Sequence, residues 1–275
     1  MNPHAASPVG PRALWRSLWG HRGLLGQLVC REVVGRYRGS FMGLLWSFLY
    51  PLLMLAVFTF VFTVVFTARW GVEQPTTVHF AVVLFAGLIV HTLFAEVLTR
   101  APAAVVGQAN YVKRVVFPLE LLPVVPVLGA LFHALVSVLI LLAVFLLLSG
   151  HLHPTVLLAP LVLFPLLVLS LGVGWILASL GVFARDISQV TGVLATALLF
   201  LSPVFYPTSA LPEFLQPWML LNPLTFIIEQ MREVLIWGRL PDAGGLLAYL
   251  AVAGLVAWLG YVWFQKTRKG FADVL

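Results

Sequence analysis

Phosphate chemistry is the first activity to consider, because a nucleotide-binding loop can be recognised from residue types and spacing alone. Such a loop ends in Gly-Lys-Ser or Gly-Lys-Thr. The three lysines of this chain are followed by Arg114, Thr267 and Gly270. The pair Lys266-Thr267 comes closest, but Gln265 stands where the loop requires glycine. The sequence therefore excludes a Walker-type ATP site within these residues.

The sequence gives equally little support for a metal site or for acid–base catalysis. The seven histidines are scattered, there is a single cysteine (Cys30), and no His-Glu-x-x-His pattern occurs. His91 and His133 each stand alone in an apolar stretch, which favours a packing role. Glu96 and Glu120 lie near the ends of such stretches, from where we expect them to reach the membrane interface. We therefore predict no catalytic residue, no metal site and no cofactor on this chain.

The composition is that of an integral membrane protein. Of the 275 residues, 61% are hydrophobic and 9% are charged, against about 25% charged in soluble domains. The mean hydropathy is +1.03. About 20 apolar residues cross a bilayer core, and this length predicts an all-α integral membrane fold with six transmembrane helices. They are expected at 41–68, at 76–95, twice within 121–184 around a turn at 150–155, at 187–202 and at 243–264.

The basic residues predict the orientation, because cytoplasmic segments of membrane proteins carry an excess of Lys and Arg. With the N-terminus inside, thirteen of the sixteen Lys and Arg residues fall in cytoplasmic segments. We therefore expect both termini in the cytoplasm, and the net charge of +6 reflects this rule and not nucleic-acid binding. The first 40 residues are polar and basic, so no cleavable signal peptide is expected.

The N-terminal segment, residues 1–40, precedes the membrane domain at 41–264, and residues 265–275 form a predicted cytoplasmic tail. Residues 13–28 place leucines and Trp15 and Trp19 among basic side chains such as Arg16. This pattern favours an amphipathic helix in contact with membrane lipids; a disordered basic tail is the alternative. The basic residues that follow, Arg36 and Arg38, either anchor lipid phosphate or provide positive-inside charge.

Two further segments are too irregular for a simple crossing. Between spans two and three, a short helix at about 102–118 is predicted to present five polar residues, either to a soluble partner or to the membrane interface. They are Gln108, Asn110, Tyr111, Lys113 and Arg114. After span five, residues 203–223 hold five prolines among apolar side chains, which predicts short helices that re-enter the membrane; a plain external loop is the alternative. Residues 224–242 are expected to form an amphipathic element on the outer surface.

Four ordered blocks resemble one known family. They are GRYRGSFMGLLWSFLYPLL, NYVKRVVFPLELLP, GVFARDISQV, and SPVFYP followed by LLNPLTFIIEQMRE. Together they resemble the permease subunit of ABC exporters of lipid-linked polysaccharides, the class of the O-antigen, teichoic-acid and capsule exporters. The first two blocks look more like the O-antigen and teichoic-acid branch than the capsule branch.

The resemblance implies a half-transporter in the bacterial inner membrane. Two copies would form a homodimer around a channel, and two separate ATPase subunits would bind ATP and Mg beneath it. The 102–118 segment would be the coupling helix that transmits ATPase movement. Trp15, Arg16, Trp19, Arg36 and Arg38 would lie at the cytoplasmic gate where the lipid-linked substrate enters. The outer gate would be formed by Pro207, Leu211, Pro212, Phe214, Trp218, Asn222 and Pro223.

The same resemblance implies that spans one and five line the channel, and both carry aromatic residues on which the C–H faces of sugars can pack. The candidates are Trp46, Tyr50, Phe58, Phe62 and Phe66 from span one, and Phe200, Phe205 and Tyr206 from span five and its exit. Steps of four residues drift about 40° each on a helix, so the first ladder cannot face one channel throughout. Lipid-facing or packing roles remain open for each ring.

Three other functions remain open at this stage. A small-molecule or drug exporter permease would share the frame but would need a closed apolar pocket. A membrane-embedded enzyme acting on a lipid carrier would need clustered acids or basic sites, whereas the ten Asp and Glu residues are dispersed. A passive scaffold or scramblase would need no ATPase partner.

Overall fold

The computed structural model describes residues 10–61, 77–113 and 117–275, and within these ranges the chain is helical, without β-strands. The predicted site residues Phe62, Phe66 and Arg114 lie outside the described residues. The α-helices are α1 (Pro11–Gly20), α2 (Arg22–Tyr37), α3 (Trp46–Phe60), α4 (Thr77–Arg100), α5 (Ala103–Val106), α6 (Ala109–Lys113), α7 (Val124–Ser149), α8 (Ala159–Phe183), α9 (Ile187–Leu201), α10 (Gln216–Met219), α11 (Pro223–Arg232), α12 (Ala243–Thr267) and α13 (Phe271–Val274).

Five stretches of the described residues are long and apolar enough to cross a membrane: Gly43–Phe60, Phe80–Arg100, Leu119–Ser149, Pro154–Phe183 and Ala243–Val274. They contain α3, α4, α7, α8 and α12. The chain is therefore a multi-pass, all-helical membrane protein, as its composition predicts. The predicted turn between spans three and four is present, because Gly150 ends α7 with a φ of 72° and its N–H bonds to the carbonyl of Leu146.

The fifth predicted span is shorter than the others. Helix α9 has 15 residues, which corresponds to about 22 Å, against a hydrocarbon core of about 30 Å. It ends at Leu201 because Ser202, which precedes Pro203, takes an extended conformation.

The prediction of one helix over residues 13–28 is wrong. Helices α1 and α2 are separated at His21, which leaves the helical conformation and whose backbone N–H and ring Nδ1 both lie close to the carbonyl of Ser17. Gly20 and Gly23 flank this break, and glycine is the weakest ordinary helix former. Helix α2 then runs to Tyr37, and the chain enters α3 through a 3₁₀ turn at Gly43–Leu45.

Helix α4 lies at the centre of the fold, and it packs against α3, α7, α8, α9 and α11. Helix α11 was expected on the surface but is part of this core. Its apolar face is fully buried against α4 and α8. The residues of that face are Leu224, Ile227, Ile228 and Met231. The amphipathic character of this segment is confirmed, but its placement on the protein surface is wrong for α11, because the apolar stripe packs into the helix bundle.

Helices α8 and α12 form the most extensive helix pair among the described residues. Their backbones touch where Gly172 faces Gly260, and a Cβ atom on either glycine would lie closer than 3.0 Å to the other helix. Close approach through small residues is the usual way in which membrane helices gain packing contacts. Beside this crossing lies a second core cluster, which includes Trp175, Tyr261 and Phe271.

The two ends of the helix bundle differ in character. We call one the basic end: it contains α1, α2, residues 101–113 and 117–122, and α13, which contact one another. The other, the proline-rich end, contains residues 150–158, 202–222 and 233–242. Its parts are joined by hydrogen bonds such as the one from Thr155 to the carbonyl of Val234.

Candidate functional site

A buried carboxylate ties three helices together at the basic end. Glu96 of α4 is only 9% exposed. Its Oε1 accepts a 2.6 Å hydrogen bond from Nη1 of Arg36 on α2, and its Oε2 lies 3.1 Å from Nδ1 of His133 on α7. Arg100 lies on the same side and pairs with Glu32 of α2. The expectation that Glu96 reaches the interface is therefore wrong.

The same network extends to Tyr37, whose hydroxyl lies 3.2 Å from Nε2 of His133. The two rings meet edge to face. Burial raises the pKa of Tyr37, and the nearby charges of Arg36 and Glu96 act on it in opposite directions. His133 is thus a partner of Glu96 and Tyr37, whereas His91 has the expected packing role, with Nε2 2.9 Å from the carbonyl of Ala195.

A second buried carboxylate, Glu120, lies in a 3₁₀ turn at Leu119–Leu121 and is 7% exposed. Its Oε1 accepts a 2.7 Å hydrogen bond from Ser17 of α1, and its Oε2 lies 3.4 Å from Nη1 of Arg268. Its carbonyl oxygen accepts a 3.1 Å hydrogen bond from the indole of Trp175 on α8. The expectation that Glu120 reaches the interface is therefore wrong as well.

The predicted coupling segment contains two one-turn helices, α5 and α6, and not one short helix. They are separated at Gly107, whose N–H closes on the carbonyl of Ala103. Of the five predicted partner-binding residues, Asn110 is exposed and Lys113 ends α6. Gln108 and Tyr111 instead face α2, as the next contacts show.

Arg31 of α2 holds these two side chains. It donates a 3.2 Å hydrogen bond to the hydroxyl of Tyr111 and a 3.5 Å bond to Oε1 of Gln108. The ring of Tyr111 stacks on Phe117 at a centroid distance of 4.5 Å. A cavity of about 390 Å³ lies behind this contact, between α2, α4 and α5. The described part of the predicted coupling segment is therefore attached to α2 by a polar bridge.

Helix α1 has the amphipathic character that its sequence predicts. Leu14 and Leu18 pack against the second core cluster, while Trp15 and Trp19 are 66% and 58% exposed. The two indoles stack with centroids 5.6 Å apart, and the guanidinium of Arg22 lies over the ring of Trp19 at 5.1 Å. Arg16, Arg36 and Arg38, the other predicted gate residues, are also exposed on this end.

The structure brings together only part of the predicted aromatic channel lining. Phe205 lies 5.9 Å from Phe58 of α3 and 5.9 Å from Phe200 of α9, measured between ring centroids. Tyr206 joins them through a 3.0 Å hydrogen bond from its hydroxyl to the carbonyl of Phe200. Trp46 and Tyr50 are exposed on α3 outside this group.

The predicted outer-gate segment is a chain of single turns. A 3₁₀ turn at Thr208–Ala210 follows Pro207, and α10 spans four residues. Leu211 and Pro212 connect the two turns, and Phe214 and Trp218 are largely exposed. Asn222 ends the segment and caps α11, which begins at Pro223, because its side chain accepts a hydrogen bond from the N–H of Leu224.

Two polar side chains fix this segment to the bundle. Asn222 donates to the carbonyl of Leu201 and to the hydroxyl of Ser202, at 3.1 and 2.9 Å. Arg232 of α11, 4% exposed, donates from Nε to the carbonyl of Val83 and from Nη2 to that of Val204, at 3.1 and 2.9 Å. Burial lowers the pKa of Arg232 to about 9, so its guanidinium is still charged at neutral pH.

Comparison with known proteins now identifies this arrangement of helices. A family model described as ABC-2 type transporter matches residues 23–236. The chain belongs to the ABC-2 type transporter family. The match runs from α2 into the π turn at Glu233–Trp237 and therefore includes the Glu96 network, Glu120 itself and the proline-rich segment, whereas Ser17 and Arg268 lie outside it.

Several curated relatives of this ABC-2 transporter are export proteins. The O-antigen export system permease protein RfbA of Myxococcus xanthus is 32% identical over 262 residues, 94% of this chain and 98% of the relative. The polysialic acid transport protein KpsM of Escherichia coli is 28% identical over 195 residues, 70% of this chain and 74% of the relative. The RfbA protein of Klebsiella pneumoniae is 26% identical over 256 residues, 92% of this chain and 95% of the relative.

Sequence reasoning missed the residues that join the basic end of this ABC-2 transporter. They are Ser17, Glu32, Glu120, His133, Trp175 and Arg268. One signal was present: acids are scarce, with ten in the chain, and two of them stand beside long uncharged stretches. Buried charges are paired as a rule, so Glu96 and Glu120 could have been predicted to seek basic partners.

Proposed function

We infer that this chain is the membrane-spanning subunit of an ABC exporter that moves a lipid-linked polysaccharide of the O-antigen class across the bacterial inner membrane. The observation that carries this function is the 32% identity with the O-antigen permease of Myxococcus xanthus, which extends over 94% of this chain and 98% of that protein. The drug-exporter alternative has no comparable support, because the relatives are named for O-antigen export and polysialic acid transport.

The chain crosses the membrane six times, with both termini and the whole basic end in the cytoplasm. Helix α9 is the short fifth crossing, since it follows the end of α8 at the basic end of the bundle and leads to Asn222 at the proline-rich end. It runs beside the buried helix α4, where His91 approaches the carbonyl of Ala195. The extended residues after Leu201 supply the length that the helix lacks.

Two copies of the chain form the channel, and two ATPase subunits that bind ATP and Mg dock on the coupling segment at 102–118. The exposed apolar and aromatic faces of α3 and α9 support a second copy as a neighbour, with Tyr50 and Phe200 among their most exposed residues. Asn110, which is exposed, and Lys113 of the coupling segment contact the ATPase in this proposal, while Trp15 and Trp19 of α1 anchor the entrance in membrane lipids.

The segment 203–223 dips back into the membrane as the outer gate. Its exposed apolar side chains support this placement, since Phe214, Trp218 and Leu221 are each more than 65% exposed in the single chain. Irregular backbone at membrane depth requires surrounding protein or a watery channel, and the mouth of a channel between two copies provides both. Phe58, Phe200, Phe205 and Tyr206 lie next to this gate and offer packing surfaces to sugars.

Purification in mild detergent from the native membrane tests the assembly. We expect an ATP-binding subunit at one-to-one stoichiometry in a complex of two plus two. In parallel, deletion of the chain should leave lipid-linked polysaccharide inside the cell, and expression of the chain with its ATPase should restore surface polysaccharide. A partner ATPase without its Walker lysine is the control and should restore none. Recovery of the chain without any ATPase, even after cross-linking, would instead favour a scaffold or scramblase.

A further inference from the structure

We propose that Glu120 is a positioning residue that makes helix α1 follow the coupling segment. Glu120 lies in the turn that directly follows that segment, and its carboxylate joins this turn to α1 and to the end of α12, so that the three elements move as one unit. This proposal rests on the proposed function, because it assumes that the coupling segment receives its movement from an ATPase.

The contacts of Glu120 connect parts of the chain that are remote in sequence. Ser17 of α1 is 103 positions away and donates a 2.7 Å hydrogen bond to Oε1. Arg268, 148 positions away, places Nη1 3.4 Å from Oε2. One carboxylate therefore holds the first described helix and the C-terminal end of the last long helix at once.

Burial makes these contacts hard to separate. Glu120 is 7% exposed, and its neighbours in sequence, Leu121 and Leu122, are 0% and 3% exposed. A buried carboxylate that loses its partners pays a desolvation cost that water cannot offset. Movement of the turn without α1 would break the bond from Ser17 and leave the charge with fewer donors. The free energy is therefore lower when α1 moves together with the turn.

The backbone at this position is held independently of the carboxylate. The indole N–H of Trp175 bonds to the carbonyl of Glu120 at 3.1 Å, and a side-chain substitution does not remove that acceptor. The second link from the coupling segment to the N-terminal helices, Arg31 to Tyr111, joins α2 and not α1. The side chain of Glu120 can therefore be altered while the turn stays docked on α8.

The test uses the full complex of permease and ATPase, with export measured as surface polysaccharide and ATP hydrolysis measured on the purified complex. Ser17→Ala removes the α1 contact, Arg268→Gln removes the α12 contact, and Glu120→Ala removes both. We expect Ser17→Ala and Glu120→Ala to lower export per ATP hydrolysed about tenfold, as for the loss of one hydrogen bond to a charged group. ATP hydrolysis per complex should stay close to that of the wild type, while the melting temperature falls modestly because a buried carboxylate loses a donor or is itself removed.

Two controls separate coupling from a structural role. Ser188→Ala removes a cytoplasmic-end hydroxyl that bonds only to the local carbonyl of Arg185, and it should leave export per ATP unchanged. Glu120→Gln keeps an oxygen that can accept from Ser17 but removes the charge that attracts Arg268, so it should rescue most of the loss seen in Glu120→Ala. Export per ATP hydrolysed should be no lower in the double variant Ser17→Ala with Glu120→Ala than in Glu120→Ala alone, because both substitutions remove the same contact.

A parallel fall of export and ATP hydrolysis, with export per ATP unchanged, would show that Glu120 only stabilises the fold and would overturn the proposal. Unchanged coupling in Ser17→Ala would overturn it as well. Failure of the proposed function has a different signature: the wild-type chain would then neither export polysaccharide nor purify with an ATPase. That outcome would appear before any variant is compared.

Discussion

Nη1 of Arg36 donates a 2.6 Å hydrogen bond to Oε1 of Glu96, and this bond joins α2 to α4, the most buried of the long apolar helices that the structure describes. The two side chains differ in exposure, at 39% for Arg36 and 7% for Glu96. The charge of Glu96 therefore depends on this ion pair, because its carboxylate is buried, whereas the exposed guanidinium of Arg36 can be hydrated. The orientation of α2 at the basic end thus depends on a charge in the core.

Replacement of Arg36 tests this dependence. We expect Arg36→Met to lower the free energy of unfolding by about 1–3 kcal/mol, because a buried carboxylate loses a charged donor. Thermal unfolding of the purified protein is the measurement. Arg38→Met is the matched control, because Arg38 is exposed two residues away, and it should change stability by less than about 0.5 kcal/mol. Equal melting temperatures for the two variants would contradict the assignment.

The crossing of α8 and α12 makes a second prediction. Gly260→Ala should destabilise the protein by about 1–3 kcal/mol, since its Cβ would collide with the backbone of Gly172 and rigid backbone cannot yield. Gly254→Ala on the same helix is the control, because nothing lies within 4 Å of its Cβ position. It should be neutral or slightly stabilising. The same change in melting temperature for both substitutions would contradict the close backbone contact of α8 and α12 at Gly260.

The aromatic group beside the proline-rich segment makes a third prediction. Combined substitution of Phe58 and Phe200 by alanine should slow export by about two- to tenfold, because sugar C–H faces lose their packing surface. Assembly with the ATPase should be preserved. Phe164→Ala, an exposed aromatic position on α8 outside the group, is the control for general loss of ring surface. Normal export by the double variant would rule out a role in sugar passage.

The cap at Asn222 makes the fourth prediction. Asn222→Ala loses the acceptor for Leu224 and the donor to Ser202, so we expect a loss of about 1–2 kcal/mol in unfolding free energy. Asn110→Ala removes an exposed asparagine from the coupling segment and should leave stability unchanged within about 0.5 kcal/mol. Thermal unfolding compares the two, and a stable Asn222→Ala variant would show that α11 needs no cap.

Much of the helical frame could be predicted from sequence because each signal is local. Uncharged stretches of sufficient length located the long helices, and Gly150 with Pro154 marked the turn between α7 and α8. The ordered sequence blocks pointed to the same transporter family that the comparisons identify. The local signals failed where two of them conflict. At His21 the amphipathic pattern predicts a continuous helix, but the low helix propensity of the nearby glycines favours a break, and the helix ends there.

The sequence by itself determined that this protein is a membrane-embedded helical bundle without a nucleotide-binding loop, because length, charge and residue order suffice for those conclusions. The tertiary structure alone decided which polar groups meet. Glu96 finds Arg36 and His133, and Glu120 finds Ser17 and Arg268, across separations of 37 to 148 positions. No local propensity encodes such pairs. They arise because a charge carried into an apolar core must be matched by whichever donor the packing of helices brings within reach.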